Sequence, residues 1–275
     1  GTDSLLMKYL IDAARRGKEV TVVVELMARF DEEANLNWAA RLEEVGAHVV
    51  YGVFGYKTHA KMLMVVRREE AGLRRYVHLG TGNYHPRTAR LYEDFGLLTT
   101  NATIGEDVAN LFNYLSGYSA QRSFANLLVS PHSVRSGLLE AIAQEAANAS
   151  AGKPSGIRIK CNAIVDEEII DALYRASQAG VQVELLVRGI CALRPGVPGL
   201  SENIRVVSIV DRFLEHSRLY YFESSRNLYL SSADWMPRNF FRRVELMFPV
   251  LSPDLAARIL KEILPPYLAD NTRAR

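Results

Sequence analysis

IDAARRGKEVTVVVELMAR (residues 11–29) laid without a gap over IDALYRASQAGVQVELLVR (170–188) gives nine identities in nineteen positions. The matches include Glu25 with Glu184 and Arg29 with Arg188. Each stretch reads as an amphipathic helix followed by a buried, β-branched strand. Two further segments fall into the same order: HAKMLMV (59–65) over HSRLYYF (216–222), and GTGNYHPR (80–87) over SSADWMPR (231–238). The Arg-to-His separations, 30 and 28 residues, agree; the next interval differs by six, which the charged stretch VRREEAGLRR absorbs as a loop. Three segments in one order mean two copies of one unit.

Working outward, the pattern alternates helix and strand. Helices are expected over 4–17, 35–45, 106–116, 135–149 and 166–179. Strands are expected at 20–26, 47–53, 61–68, 74–82, 181–189, 203–210, 218–224 and 227–234. The fold class is α/β: two tandem domains, 1–122 and 123–275, each a mixed sheet flanked by helices. The 275 residues suffice for two cores. With 33 Lys+Arg against 31 Asp+Glu the net charge is +2, which gives no sign of a whole-surface nucleic-acid binder. With 48% apolar residues the chain is not disordered, and no apolar run is long enough to cross a membrane. Cys161 and Cys191 form no metal or redox motif, so a reducing, cytoplasmic setting is the default.

The chemistry gathers at the repeated positions. His59 and His216 each carry a cation two residues on, Lys61 and Arg218, and a strand turns positions i and i+2 to one face. A neutral imidazole beside a fixed cation suits phosphoryl acceptance. Arg29 and Arg188 at strand ends suit an anionic ligand. GTGNYHPR adds Asn83 and Arg87, its counterpart adds Asp234 and Arg238, and it is not a phosphate-binding P-loop. Tyr92 suits stacking on a base, and Glu93, Asp94 and Glu245 suit ordering the arginines or holding a metal. His48, His78 and His132 read as structural or solvated, and His85 as peripheral.

KTHAKM (57–62), GTGNYHPRTARLYEDFG (80–96), LLVRGICALRPGVPGLSENIRVVSIVDRFLEHSR (185–218) and SADWMPRNFFRRVELMFP (232–249) resemble the bacterial polyphosphate kinase family over essentially the whole chain. The resemblance implies its two C-terminal domains, with phospholipase D-like folds, cut from a longer chain with N-terminal and head domains. It implies ATP-dependent, reversible synthesis of inorganic polyphosphate through a phosphohistidine. By resemblance His59 is the phosphorylated residue and His216 the second active-site histidine. Tyr92, Arg188 and His216 match nucleotide contacts, and Arg29 matches a Mg²⁺ site through an indirect contact. ATP, ADP and polyphosphate are the expected partners, without nucleic acid. The full-length protein is expected to be a homo-oligomer in the cytoplasm, with peripheral attachment to the inner membrane left open. Departures from the phospholipase D pattern H-x-K-x4-D are Val66 for the acid in the first copy, and Arg218 and Glu223 for the lysine and acid in the second. The competing expectations are a phospholipase D-like phosphodiesterase and a non-catalytic module that binds polyphosphate or nucleotide.

Overall fold

The computed structural model describes residues 4–25 and 32–274. The first unit runs α1 (Leu5–Arg15), β1 (Thr21–Val23), α2 (Glu32–Glu44), β2 (His48–Val50), β3 (Lys57–Thr58), β4 (Lys61–Glu69), β5 (Gly72–Gly80), β6 (Tyr92–Glu93), β7 (Gly96–Thr99) and α3 (Ala102–Leu115). In the second come β8 (Leu128–Val129), α4 (Val134–Ser150), β9 (Ile157–Cys161), α5 (Glu167–Gln178), β10 (Val183–Val187) and β11 (Ile204–Val207). It continues through β12 (Leu214–Glu215), β13 (Arg218–Phe222), β14 (Asn227–Ser231), α6 (Pro237–Phe241), β15 (Arg243–Val244) and β16 (Leu246–Pro249). Two short helices, α7 (Pro253–Arg258) and α8 (Leu264–Ala269), flank a π-helical turn at the C-terminal end.

The second unit holds one mixed sheet of seven strands in the order β11-β10-β9-β13-β14-β16-β8. Its β9, β10 and β11 are parallel and the rest antiparallel. In the first unit the parallel pair β1-β2 and the antiparallel triple β4-β5-β7 stand as separate sheets. Helices α4 and α5 cover one face of the large sheet through Leu138, Ile142, Ile169 and Leu173. Its other face meets the first unit in a shared core that brings Val77, Leu79, Val108 and Leu111 onto Leu219, Leu228, Leu230 and Phe248. Burying each such side chain stabilises by about 1.5–3 kcal/mol, so this seam is fixed.

Two sequence expectations change. The residues of VRREEAGLRR do not form a charged loop: β4 and β5 pair over nine residues each, from Lys61↔Gly80 to Glu69↔Gly72. Arg67, Arg68 and Arg74 are exposed and Arg75 is half-buried along a long hairpin, so the six extra residues lengthen strands rather than a turn. The ungapped alignment of 11–29 with 170–188 is also out of step. Gly17 and Gly180, both at positive φ (76° and 97°), end the two helices with the same pair of bonds, Lys18 N–H to Ala13 C=O and Val181 N–H to Ala176 C=O. They lie 163 residues apart, not 159. A slide of four residues is about one helical turn and an even number along a strand, so it keeps both apolar faces in phase. On the structural spacing Glu25, not Arg29, corresponds to Arg188, and Arg29 lies outside the described residues.

Candidate active site at the seam

The later segments keep their expected register. Lys61 stands opposite Gly80 as Arg218 stands opposite Ser231, and Gly80 opposite Gly96 as Ser231 opposite Met247. Each unit also lends a short strand to the other: β3 pairs parallel with β15, and β12 with β6. The bonds match in detail: the N–H groups of His59 and Ala60 donate to Val244 C=O, and those of His216 and Ser217 to Glu93 C=O. This exchange delivers both histidines to one place.

It also delivers their partners. His59 Nδ1 lies 2.8 Å from Glu245 Oε2, and His216 Nδ1 lies 2.9 Å from Asp94 Oδ1. Each imidazole is therefore held by the carboxylate of the opposite unit. Sequence reading assigned Asp94 and Glu245 to ordering the arginines or a metal; the structure corrects this, because their first duty is to the histidines. Arg218 is ordered instead by Asp234, through Nε–H and Nη2–H. The missed signal was the equal spacing of the two acids: Glu245 follows Asp94 by 151 residues, as SSADWMPR follows GTGNYHPR.

Glu245 is wholly buried and also accepts from Ser232 Oγ–H and Asn239 Nδ2–H. Burial would raise its pKa, but His59, Lys61 and Ser232 hold the carboxyl below its usual range. Burial pushes His59 down to about 4, with Lys61 adding to the effect and Glu245 opposing it. Neutral His59 thus donates Nδ1–H to an ionised Glu245, which leaves the lone pair on Nε2. No other side-chain hydrogen bond to His59 occurs among the described residues.

His216 differs. Burial lowers its pKa as well, yet its Nε2 already accepts from Arg218 Nη1–H at 3.1 Å, and Arg218 is only 3% exposed. Tyr92 tilts over the same ring, 5.0 Å between centroids. Arg188 joins through Asn162: its Nε–H donates to Asn162 Oδ1 at 2.7 Å, and Asn162 N–H donates to Asp234 Oδ1. Tyr92, Arg188, Arg218 and His216 form one network on the second histidine's side.

Lys61 begins β4 and is 5% exposed, yet its Nζ has no hydrogen-bond partner among the described residues. Burial brings its pKa down to about 7, with Glu245 opposing and Arg218 and Arg243 adding to the fall. Its charge bears on both histidines. Asn83 and Arg87 follow β5, exposed and, among the described residues, hydrogen-bonded to neither imidazole; Arg238 is exposed on α6, near enough to Arg243 to depress it after burial and against Glu245. These three form a rim. The small residues of GTGNYHPR have a definite use: a Cβ on Gly82 would fall 2.1 Å from Asp94 Oδ2.

A buried amine with no hydrogen-bond partner among the described residues, close enough to lower the His59 pKa, is a place for an anion. Because Lys61 is mostly neutral at pH 8 in the free site, an anion that restores its charge must draw a proton from solvent. Tripolyphosphate binding at pH 8 should take up about one proton. At pH 6, where Lys61 already carries its charge, uptake at this group should vanish. Calorimetry in buffers of different ionisation enthalpy measures this, and Lys61→Met should abolish the pH 8 uptake.

A profile of polyphosphate kinase C-terminal domain 1 matches residues 1–121, and one of C-terminal domain 2 matches residues 127–275. The chain belongs to the polyphosphate kinase family. It is 59% identical over 280 aligned residues to the polyphosphate kinase of Burkholderia cenocepacia, covering 100% of this chain and 41% of that protein. It superposes on the crystal structure of polyphosphate kinase from Porphyromonas gingivalis with a TM-score of 0.91 and 40% identity, covering 100% of this chain and 42% of that one. The chain thus spans about two fifths of the curated relatives it matches. Phosphatidylserine synthase from Haemophilus influenzae shares the fold at 11% identity and a TM-score of 0.56, over 99% of this chain and 85% of that one. The architecture is that of a polyphosphate kinase C-terminal region.

Among the described residues no group of three His, Cys, Asp or Glu side chains is arranged to hold a metal. Asp94 and Glu245 are already engaged. Arg29, matched by resemblance to a Mg²⁺ site, lies outside the described residues. No helix of the described residues is long and apolar enough to cross a membrane.

Proposed function

We propose that this chain, within the longer enzyme, carries the phosphoryl-transfer site of an ATP-dependent, reversible polyphosphate synthase, with His59 as the nucleophile. The observation that carries the reading is the asymmetry of the two histidines. Among the described residues His59 has Nδ1 tied to Glu245, no hydrogen bond at Nε2 and the Lys61 charge acting on it, whereas His216 has both ring nitrogens engaged.

The His59 Nε2 lone pair attacks the γ-phosphorus of ATP in line. The bond from that phosphorus to the β,γ-bridging oxygen breaks, and its electron pair leaves with ADP. Lys61 meets the equatorial oxygens, and Glu245 balances the positive charge spreading over the imidazole. A terminal oxygen of polyphosphate then attacks the phosphohistidine, the P–N bond breaks, and the lone pair returns to Nε2. The reverse sequence makes ATP. On this reading Tyr92, Arg188 and the His216–Arg218 pair hold the nucleotide and leaving phosphate, and Asn83, Arg87 and Arg238 guide the polyanion at the rim. A magnesium ion, on this reading, arrives on the nucleotide's phosphates.

Two domains, 1–122 and 123–275, meeting at the seam are part of the proposal. So are a cytoplasmic setting, and the N-terminal and head domains and homo-oligomer of the longer protein as the chain's partners. The test uses γ-³²P-ATP with the longer enzyme. An acid-labile, alkali-stable label on His59 that chases into polyphosphate or back to ATP is expected. An acid-stable label, or full labelling of His59→Ala, overturns the reading. Phosphodiester cleavage without ATP would replace it with a phosphodiesterase, and polyphosphate binding without label or turnover with a binding module.

A further inference from the structure

His216 is gripped through both of its chain neighbours. The strand that delivers it, β12, pairs with β6 alone among the described strands, so its backbone hangs on the other unit. Its own unit takes hold through β9. There Ile157, Ile159 and Cys161 pack in the core under α4 and α5, and by alternation Lys160 turns to the opposite face. Lys160 is 4% exposed. Its Nζ–H donates to Ser217 Oγ at 2.8 Å, and the same Nζ lies 3.0 Å from Glu215 Oε2. One ammonium thus holds the residues before and after the histidine. Just beyond β9, Asn162 Nδ2–H donates to the C=O of His216 itself at 3.1 Å. Tyr267 closes the cluster from α8. Its ring centroid lies 5.2 Å from Lys160 Nζ, a cation–π contact. Burial and then the Glu215 carboxylate push the Tyr267 hydroxyl up, so it keeps its proton. Arg205 Nη2–H fixes α8 in turn, on Leu268 C=O. Lys160, Glu215, Tyr267 and Arg188 border one cavity of about 10 Å³, which sets the cluster against the nucleotide side of the proposed site.

The repeat shows that this grip is not scaffolding common to both units. Thr58 and Ala60 hold the places of Glu215 and Ser217 beside His59, and neither offers an ammonium a carboxylate. Thr58 is held by its backbone instead, through its N–H on Glu25 Oε2. A buried ion pair adds little stability over apolar packing of the same volume, so what this one contributes is geometry. We propose that Lys160, seated between Glu215 and Tyr267, is a positioning residue for His216, fixing its imidazole against Asp94 and Arg218. Its consequence for the reaction rests on the proposed role of His216 in holding the nucleotide. A histidine that drifts from Asp94 then costs affinity for ATP more than it costs the chemical step at His59.

The test is made in the longer enzyme with Lys160→Met, which keeps the apolar stem and removes the charge. A crystal structure of the variant should show His216 Nδ1 out of hydrogen-bond reach of Asp94. The KM for ATP should rise about tenfold, while the rate of His59 labelling at saturating ATP falls by about threefold at most. Lys160→Met leaves Glu215 without its counter-charge and can cost the fold. The pair Lys160→Met with Glu215→Gln buries no lone charge, and Tyr267→Phe removes only a hydroxyl, so both are read in the same two ways. The pair should match the single variant, and Tyr267→Phe should raise KM about threefold. An imidazole that stays on Asp94 in the pair variant overturns the proposal, whatever the KM. A displaced imidazole with an unchanged KM upholds the positioning role and overturns instead the reading of His216 as a nucleotide-holding group.

Discussion

In the longer enzyme, His59→Asn should abolish phosphoenzyme formation and reduce polyphosphate synthesis on the order of 10⁴-fold or more. Asparagine keeps a side-chain N–H to donate to Glu245, so the buried carboxylate retains a partner and the fold should survive. What disappears is the Nε2 lone pair. His216→Asn should behave differently: it removes an imidazole engaged by Asp94 and Arg218 and stacked with Tyr92, and on the proposed role label on His59 should still form, more slowly. Rapid-quench labelling with ³²P-ATP separates the two. Equal and complete loss of label in both variants would contradict the assignment of nucleophile to His59.

Glu245→Gln should lower the rate of phosphohistidine formation on the order of 10³-fold, with the fold intact and nucleotide affinity nearly unchanged. The carboxylate fixes which ring nitrogen of His59 carries the proton and opposes the positive charge that grows on the ring as the P–N bond forms. Glutamine preserves volume, and Asn239 can rotate its amide to meet the new NH2, so the packing around Ser232 and Asn239 is kept. The charge is lost, and the neutral amide no longer opposes depression of the Lys61 pKa. The variant's pH profile should therefore show its basic limb displaced to lower pH. A loss of affinity with an unchanged chemical step would place Glu245 in binding instead.

Much of this was legible along the chain, and the failures have particular causes. His59, Lys61, His216 and Arg218 were readable because each pair sits in one strand, where spacing of two encodes a shared face. The pairing of GTGNYHPR with SSADWMPR held because hairpin register converts sequence spacing directly into opposition of residues. Arg29 against Arg188 failed for the converse reason: an amphipathic helix looks the same after one turn, so identities alone could not fix the slide. Asp94 and Glu245 were noticed but given the wrong task. Each serves a histidine of the opposite unit, 122 and 186 residues away, and that exchange depends on β3, β6, β12 and β15, strands of two residues that carry no pattern of their own. The unpartnered state of Lys61 is likewise a property of the closed seam.

The exchange of carboxylates has a consequence during synthesis on the ribosome. Glu245 is made 186 residues after His59, and with it the β15 strand that holds the histidine's own backbone. A chain stalled anywhere before that point carries the proposed nucleophile without the group that sets its proton. Such truncated products should be unable to drain the nucleotide pool. On the proposed mechanism, the chemistry waits for the chain to be made through Glu245.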